Sequence, residues 1–386
     1  MSELDGRVNS GRDLAGLDAD VAAARLDDPE LIEAADPGGM LRQVASSAAQ
    51  VRTAVRTCTE CDLSALAGPD RPRAIVVVGM GGSGIAGDVL AAACGNGCPA
   101  QIVTSHGYHL PGWVGASDLV IAVSCSGSTE ETLGAATEAV RRGCQLVCVG
   151  GAGSPLESIA VQAQAPFVPV VSAGMPRSTL WGLSIPLIAI AERIGIMDVG
   201  PDAYEATAAA LERISYQCRP TSESFINPGK SLALDLLGTL PMIWGSTALG
   251  GVVAKRFAAQ LNENAKYPGI AGELPEANHN QVVAFDGPFA PGSTGADAGS
   301  GFPLRLVLVT DSGEHPQVAR RRETSAELAS ERGIGVSELP MEGDHALERF
   351  ASVVQLIDYA TVYLGIASGV DPTPIAIIQD LKERIA

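Results

Sequence analysis

Hydroxyl side chains cluster where one predicted helix begins. The segment SCSGSTEET, from Ser124 to Thr132, follows the apolar run DLVIAV and opens the helical pattern TEETLGAATEAVRRG. Hydroxyl groups at the positively polarised N-terminus of a helix suit a phosphate monoester better than a nucleotide triphosphate with magnesium. An ordinary Ser/Thr cap would need only one hydroxyl, whereas positions 124 to 129 carry four. The segment therefore predicts an anion site.

Glycines form a second candidate loop after an earlier apolar run. Gly79-Met80-Gly81-Gly82-Ser83-Gly84 follows AIVVV, and glycines such as Gly81 and Gly82 let backbone N–H groups approach an anion at a helix start. A tight strand-to-helix turn without a ligand is the structural alternative. A dinucleotide site does not fit, because the spacing does not match GxGxxG followed by an acidic residue at the end of the next strand.

Together the two loops resemble those of the sugar isomerase (SIS) domain family. The matching segments are GMGGSGIAGD and SCSGSTEET. In that family a serine/threonine loop holds the phosphate of a phosphosugar. The resemblance implies that the phosphate ligands here are Ser83, Ser124, Ser126 and Thr129.

A phosphate site alone does not make an isomerase. Moving a carbonyl between C1 and C2 of a sugar through an enediolate needs a base, a cation or donor for the developing oxyanion, and groups that open the ring. Glu263 in LNENAK is the candidate base, because three polar residues there interrupt a helix with an apolar side. His279 in ELPEANHN, just before QVVAF, which predicts a strand, is the candidate for ring opening. A solvated helix end and a structural histidine are the respective alternatives.

Two basic residues complete the candidate set. Lys382 lies in the last predicted helix, on the face formed by the apolar positions 375, 378, 381 and 385. A lysine that extends its charged end past this face into solvent is the alternative. Arg177 lies in GMPRS, between the predicted strand FVPVV and the predicted helix TLWGLSIPL, where it could stabilise an enediolate or remain at the surface.

The chain from about residue 70 onward resembles the bifunctional phosphoglucose/phosphomannose isomerase family. Further matching segments are MPRSTLWGL, LNENAK, LPEANHN and DPTPI followed by LK. The resemblance implies that Glu263 transfers the proton, that His279 and Lys382 assist ring opening, and that Arg177 steadies the intermediate. It also implies that a threonine near the C-terminus, here Thr373, makes room for the C2 epimer, and that the protein is a homodimer with His279 coming from the neighbouring subunit.

Strand and helix patterns alternate along most of the chain. From about residue 73, runs such as AIVVVG, DLVIAVS and CQLVCVGG alternate with helical stretches, which indicates a parallel sheet with helices on both faces. The pattern restarts at LPMIWGSTALGG and continues with QVVAF, PLRLVLVTD and VSELP. Because each half opens with a strand, a glycine-rich turn and a helix, the pattern predicts two related α/β subdomains. With the resemblance to the SIS family, this implies an α/β fold with two SIS-type three-layer α/β/α subdomains with parallel sheets, a helical N-terminal extension and a C-terminal helix.

The predicted domain boundaries follow these patterns. Residues 1–70 form an N-terminal extension that covers the protein rather than carrying its chemistry. Residues 71–215 form the phosphate-binding first subdomain, 216–368 the second subdomain, and 369–386 a C-terminal active-site helix. The segment 288–303 is rich in glycine, proline and serine and predicts a surface loop or a disordered insertion.

Composition excludes several functional classes. A chain of 386 residues, with 46% apolar and 18% charged side chains, can bury a large core. Its formal net charge of −18 repels nucleic acid and anionic membranes. The five histidines form no HExxH or similar frame, so no metal site is expected. The N-terminal residues include acidic ones and lack the apolar core of a secretory signal, and the apolar runs are short, which predicts a cytoplasmic protein.

The sequence therefore predicts an isomerase without a cofactor that interconverts glucose 6-phosphate and/or mannose 6-phosphate with fructose 6-phosphate. A phosphosugar sensor that keeps the phosphate loop without turnover is the alternative. The joint presence of Glu263, His279, Arg177 and Lys382 favours the enzyme, because a sensor needs only the serine loop.

Overall fold

The computed structural model describes residues 19–66, 71–172, 174–291 and 302–385. The first 18 residues of the predicted extension, and residues 292–301 of the predicted loop, lie outside the described residues. Within the described ranges the chain begins with helices that precede the first strand. These are α1 (Ala19–Leu26), α2 (Pro29–Ala35), α3 (Met40–Ala45) and α4 (Ser47–Glu60).

The first sheet has five parallel strands in the order β2-β1-β3-β4-β5. The strands are β1 (Ala74–Val78), β2 (Gln101–Ser105), β3 (Leu119–Ser124), β4 (Gln145–Gly150) and β5 (Phe167–Pro169). The strand order reverses between β1 and β3. The crevice at the carboxyl ends of these two strands is therefore a topological switch point, which is where open parallel sheets bind their ligands.

Helices cover both faces of this sheet. The helices after β1 are α5 (Gly82–Cys94), α6 (Glu130–Arg141), α7 (Pro155–Ala163), α8 (Leu180–Arg193) and α9 (Gly200–Gln217). Along β1, Ile75 and Val77 join a buried cluster with α5 and α8, whereas Val76 and Val78 join a cluster with α6 and α7. This alternation follows from the two-residue period of a strand, and the continuous apolar run follows from burial on both faces.

The second sheet is also parallel, with four strands in the order β7-β6-β8-β9. Its strands are β6 (Leu240–Gly245), β7 (Ile270–Glu273), β8 (Leu304–Asp311) and β9 (Gly335–Met341). The remaining helices are α10 (Pro228–Leu236), α11 (Ala248–Gln260), α12 (Pro316–Glu331), α13 (Ala346–Ala367) and α14 (Ala376–Ile385). Two parallel sheets with flanking helices confirm the predicted fold class.

The strand predicted for QVVAF is wrong. Gln281–Asp286 forms a 3₁₀ helix, and β7 takes the sheet position beside β6. The ring nitrogen of Trp244 donates to Gln281 Oε1 at 2.6 Å, and its ring stacks on Phe285 with centroids 5.6 Å apart. A strand would separate residues 281 and 285 by about 13 Å, too far for both to contact one indole. Burial of Trp244 thus favours a compact turn over local strand propensity.

Helix α13 forms the centre of the molecule. Its length and composition alone would allow it to span a membrane. However, 94% of its most apolar 18-residue stretch is buried inside the protein, where the helix contacts α9, α10 and α11. The largest buried cluster joins residues of both sheets, among them Val77 and Val307, with residues of α13. The two subdomains therefore share one hydrophobic core.

An ion pair between α11 and α13 lies inside this core. Arg256 Nε donates to Asp358 Oδ1 at 3.0 Å, and Gln260 Nε2 donates to the same oxygen at 2.9 Å. The side chains of Arg256 and Asp358 are 2% and 5% exposed. Removing one partner of such a pair leaves an uncompensated buried charge, which costs more free energy than the pair itself contributes.

We expect Asp358→Ala to lower the free energy of unfolding by about 3–5 kcal/mol, because it leaves the Arg256 guanidinium buried without its carboxylate. Urea denaturation measures this loss. Replacing both residues with leucine should recover much of it. The comparison variant Glu205→Ala, which opens the exposed pair with Arg52, should change the free energy far less because water screens that pair. Equal losses in the two single variants would contradict the expectation.

Candidate active site

The two predicted ligand loops meet at the carboxyl ends of β1 and β3. Ser124 Oγ lies 2.9 Å from Thr129 Oγ1 and 3.5 Å from Ser126 Oγ. The backbone N–H of Cys125 donates to Ser83 Oγ at 3.3 Å, which joins the serine loop to the glycine loop. The structure therefore brings the four predicted phosphate-binding hydroxyls into one cluster.

Both helices that begin at this cluster lack a side-chain cap. Helix α5 follows Gly81, which has no side chain, and α6 follows Thr129, whose hydroxyl accepts no hydrogen bond from the helix. Ser154, at the start of the neighbouring α7, does accept from the N–H of Glu157. Thr129 instead bonds to Ser124, so it does not act as an ordinary cap. An anion at this position would meet helix N–H groups that a cap would otherwise occupy.

Gly127 fixes the path of the serine loop. Its φ of +67° lies in the left-handed region, and a Cβ there would lie 2.1 Å from Ser154 Oγ. Glycine is therefore required twice at this position, for the backbone angle and for the close approach to α7. Any larger side chain must move the loop that carries Ser126 and Thr129.

Arg177 is buried between the two subdomains, with 3% of its surface exposed. Its Nε donates to Asn264 Oδ1 at 2.7 Å, and its Nη2 donates to the backbone carbonyls of Pro372 at 2.8 Å and Thr373 at 2.9 Å. Desolvation lowers the pKa of Arg177, and the nearby Glu263 carboxylate opposes that shift. Three of its contacts therefore fix the guanidinium plane.

The third nitrogen of the guanidinium faces the predicted base. Arg177 Nη1 lies 3.5 Å from Glu263 Oε2 and, within the described ranges, has no hydrogen-bond partner. The Glu263 side chain is 32% exposed and lies on the π-helical turn Leu261–Ala265, a form that recurs at functional sites. The pair combines an accessible carboxylate with an unused cationic donor, which is what proton transfer next to a developing oxyanion requires.

Lys266 ends this π-helical turn and ties it to the C-terminal segment. Its φ of +54° is left-handed, and its Nζ donates to the carbonyls of Glu263 at 2.8 Å, Asp371 at 3.0 Å and Pro372 at 3.0 Å. Desolvation and the charge of Arg177 lower the pKa of Lys266. Two cations, Lys266 and Arg177, therefore hold the carbonyl of Pro372.

The glycine loop directly adjoins the turn that carries Arg177. A Cβ built on Gly82 would lie 3.4 Å from the carbonyl oxygen of Pro176 and 3.8 Å from the Cα of Arg177. The hydroxyl cluster and the Arg177–Glu263 pair are thus parts of one site. That site is suited to a ligand with an anionic end and a polar, proton-exchanging end.

The donors of this site are mainly hydroxyls, backbone N–H groups and a guanidinium. Across the described part of the chain, no group of three or more His, Cys, Asp or Glu side chains is arranged to hold a metal ion. Serine, threonine and arginine donors suit a phosphate ester.

Two predicted catalytic residues lie apart from this group in the single chain. His279 ends the 3₁₀ turn Glu276–His279 and is exposed, and Lys382 is exposed on α14. Among the described residues, no hydrogen bond or ion pair joins either of them to Arg177 or Glu263. The structure therefore assembles Glu263, Arg177, Thr373 and the hydroxyl cluster, but not the two ring-opening candidates.

Known proteins with similar sequences identify the family. The chain is 30% identical over 312 residues to the bifunctional phosphoglucose/phosphomannose isomerase of Caldicellulosiruptor bescii, and the match covers 81% of this chain and 89% of the relative. The chain belongs to the bifunctional phosphoglucose/phosphomannose isomerase family. The protein of the same name from Aquifex aeolicus is 29% identical over 316 residues, with 81% of this chain and 90% of the relative covered.

A family profile and a solved structure agree with this membership. The profile of the bacterial phospho-glucose isomerase C-terminal SIS domain matches residues 225–385. The crystal structure of a glucose-6-phosphate isomerase from Chlamydia trachomatis has a TM-score of 0.66 at 13% identity, with 95% of this chain and 85% of that chain covered. At this identity the likeness shows the shared fold. The resemblance found in the sequence is thereby confirmed at the level of family and fold.

Sequence reasoning missed several residues of this site. Asn264 and Lys266 follow the predicted base in LNENAK and hold Arg177 and Pro372. The sequence signal for both was a polar residue directly after an apolar helix pattern. No such signal exists for Gly38, whose Cβ would lie 2.2 Å from Thr373 Oγ1. The N-terminal extension therefore borders the candidate site through Gly38.

We expect Gly127→Ala to weaken binding of inorganic phosphate at least tenfold, because a Cβ at this position displaces the serine loop. Gly143→Ala is the matched control. Its φ of +69° is equally left-handed, but a Cβ there meets nothing within 4 Å. In both variants the strained backbone angle should lower the free energy of unfolding by about 1 kcal/mol. Titration calorimetry should show weaker binding of inorganic phosphate in Gly127→Ala alone. Equal phosphate affinity in the two variants would show that the loop does not hold the anion.

Proposed function

We propose that this chain is a metal-independent aldose–ketose isomerase that interconverts glucose 6-phosphate and/or mannose 6-phosphate with fructose 6-phosphate through an enediolate. The observation that carries the proposal is the Glu263 carboxylate 3.5 Å from the buried Nη1 of Arg177, which has no hydrogen-bond partner among the described residues. The hydroxyl cluster next to this pair supplies a site for the phosphate.

Membership of the family supports the reaction class. The two relatives named above are bifunctional phosphoglucose/phosphomannose isomerases, and each match covers most of both chains. Sugar-phosphate isomerisation is therefore the activity expected of this chain as well. The assignment of the base, the cation and the ring-opening groups rests on the residues of this chain.

Glu263 is suited to carry the proton between the two carbons. Starting from the open-chain ketose, its carboxylate takes the proton from C1, and the electron pair of that C–H bond forms the C1–C2 double bond of the enediolate. A proton moves from O1 to O2, and Glu263 returns its proton to C2, which restores a carbonyl at C1. Return to either face of C2 gives the two aldoses, and Thr373 is the side chain proposed to leave room for both.

Arg177 is suited to stabilise the negative charge that forms on O1 and O2. Its Nε and Nη2 are already used by Asn264, Pro372 and Thr373, so the guanidinium needs little reorganisation when the charge develops. Its remaining nitrogen, Nη1, points toward Glu263 and can donate to an oxyanion. This fixed positive charge serves the purpose that a Lewis-acid cation serves in metal-dependent isomerases, which is why we propose metal independence.

A second subunit would complete the site. Helix α14 exposes much of its apolar side, with Ile377 77%, Leu381 58% and Ile385 75% exposed. A helix of this kind is stabilised when its apolar face packs against a partner. We therefore propose a homodimer in which α14 packs against the neighbouring subunit, with His279 supplied across the interface and Lys382 nearby for ring opening.

The proton-transfer role of Glu263 is tested with solvent deuterium. Purified protein treated with EDTA should incorporate deuterium at C1 of fructose 6-phosphate and form one or both aldose phosphates, as followed by NMR. Glu263→Gln should lower kcat by about 10²–10⁴-fold because the amide cannot accept the proton, whereas Glu331→Gln on the exposed side of α12 should leave kcat unchanged. Loss of activity with EDTA would contradict metal independence. Phosphosugar binding without exchange would favour the sensor.

Mixing of inactive variants tests the shared site. Glu263→Gln and His279→Asn homodimers should each be nearly inactive. If His279 acts across the interface, subunit exchange at equal amounts gives heterodimers with one intact site, and activity should return to about a quarter of the wild-type value. Ile377→Lys combined with Ile385→Lys should prevent this recovery and give monomers by sedimentation. No recovery from subunits that demonstrably exchange would place His279 in its own subunit's site.

A further inference from the structure

The side chain of Gln43 connects three parts of the chain that border the site. Gln43 lies on α3, in the N-terminal extension. Its Nε2 donates to the carbonyl of Gly38 at 3.0 Å. Its Oε1 accepts from the backbone N–H of Met175 at 2.7 Å and from Ser178 Oγ at 3.1 Å. One amide group thus satisfies partners from two distant segments of the sequence.

The acceptor end of Gln43 holds the turn that carries Arg177. Met175 directly precedes the 3₁₀ turn Pro176–Ser178, and Ser178 is its last residue. The fit is close, because a Cβ on Gly174 would lie 2.4 Å from Gln43 Oε1. A shift of the Gln43 amide would therefore also shift the backbone of Arg177.

The donor end of Gln43 holds Gly38, which packs against Thr373. A Cβ on Gly38 would lie 2.2 Å from Thr373 Oγ1 and 2.5 Å from Thr373 Cγ2. Thr373 Oγ1 is buried and, within the described ranges, has no hydrogen-bond partner. No hydrogen bond among the described residues sets the direction of this hydroxyl, and Gly38 packs closely against it.

We propose that Gln43 is a positioning residue that fixes Thr373 relative to Arg177, and thereby influences both the rate and the choice between the two C2 epimers. The proposal rests on the proposed function, since it assigns a geometric role toward that reaction. Glu263 and Arg177 act on the substrate, and Gln43 acts only through Gly38 and the turn at 176–178. Without the amide, Gly38 and this turn lose the side chain that bonds to both of them.

Helix α3 is anchored independently of Gln43. The Asp36 carboxylate accepts from the backbone N–H groups of Met40 at 2.7 Å and Leu41 at 2.9 Å, and Met40, Leu41 and Val44 are buried. Burial raises the pKa of Asp36. Gln50 on α4 separately donates to the Ser178 carbonyl at 2.7 Å. Substitution of Gln43 should therefore leave the fold intact.

Two substitutions separate the two ends of the amide. Gln43→Met keeps the length of the side chain and removes both ends. Gln43→Glu keeps an oxygen that accepts from Met175 and Ser178, but it cannot donate to Gly38. Arg42→Gln, at the exposed neighbouring position on α3, is the control.

Steady-state kinetics in the fructose 6-phosphate direction gives the main readout, with initial rates of glucose and mannose 6-phosphate formation measured separately. Gln43→Met should lower kcat by about tenfold to a hundredfold with little change in KM, because misplacement of a positioned group affects the chemical step. It should also change the ratio of the two products. Gln43→Glu should change that ratio several-fold while kcat stays closer to wild type. Arg42→Gln should match wild type in every value.

Amide hydrogen exchange provides a readout that does not need turnover. In Gln43→Met, exchange should be faster in peptides covering 174–179 and 371–375, and unchanged in peptides covering α12. The proposal would be overturned if Gln43→Met had the same kcat, product ratio and hydrogen exchange as the wild type. It would also be overturned if kcat fell only in proportion to a smaller folded fraction of the variant. An inactive wild type would instead refute the proposed function, while the exchange data would still decide whether Gln43 couples the two segments.

Discussion

Two buried guanidinium groups determine how this site is built. Arg177 donates to Asn264, Asn264 donates to Thr361, and Thr361 donates to the backbone carbonyl of Asp358. The Asp358 carboxylate binds Arg256, which donates in turn to the carbonyl of Arg177. These hydrogen bonds form a closed circuit that joins the turn before α8 (Pro176–Ser178), α11, the π-helical turn and α13. Burying two such cations is tolerable only because nearly every donor has a partner.

One nitrogen of Arg177, Nη1, takes no part in this circuit, and it lies in the candidate site. Nη1 of Arg177 is buried, lacks a hydrogen-bond partner within the described ranges and faces Glu263. A buried donor without a partner carries a desolvation cost that a substrate oxygen can remove. In the proposed reaction, the guanidinium would keep its orientation when charge develops on the substrate, because its other two nitrogens are already held.

The opposite end of the site uses backbone geometry instead of charged side chains. The loops after β1 and β3 place Ser83 and Ser124 beside the starts of two helices without side-chain caps. Helix N-termini attract anions through their free N–H groups and their dipoles. This local attraction matters in a chain with a formal net charge of −18, whose overall field repels a phosphate ester.

The sequence by itself determined most strands of the two parallel sheets, the glycine-rich and hydroxyl-rich loops after β1 and β3, and the family, because strand periodicity, glycine turns and hydroxyl-rich helix starts are local features. It could not determine that residues 281–286 turn over Trp244, nor that Gly38 packs on Thr373, because both depend on segments distant in the chain. The burial of Arg177 was likewise decided by tertiary structure, since its partners come from other elements. Local sequence patterns indicate the secondary structure that the backbone prefers. Long-range packing decides which polar groups are buried away from water, and those groups need hydrogen-bond partners within the protein.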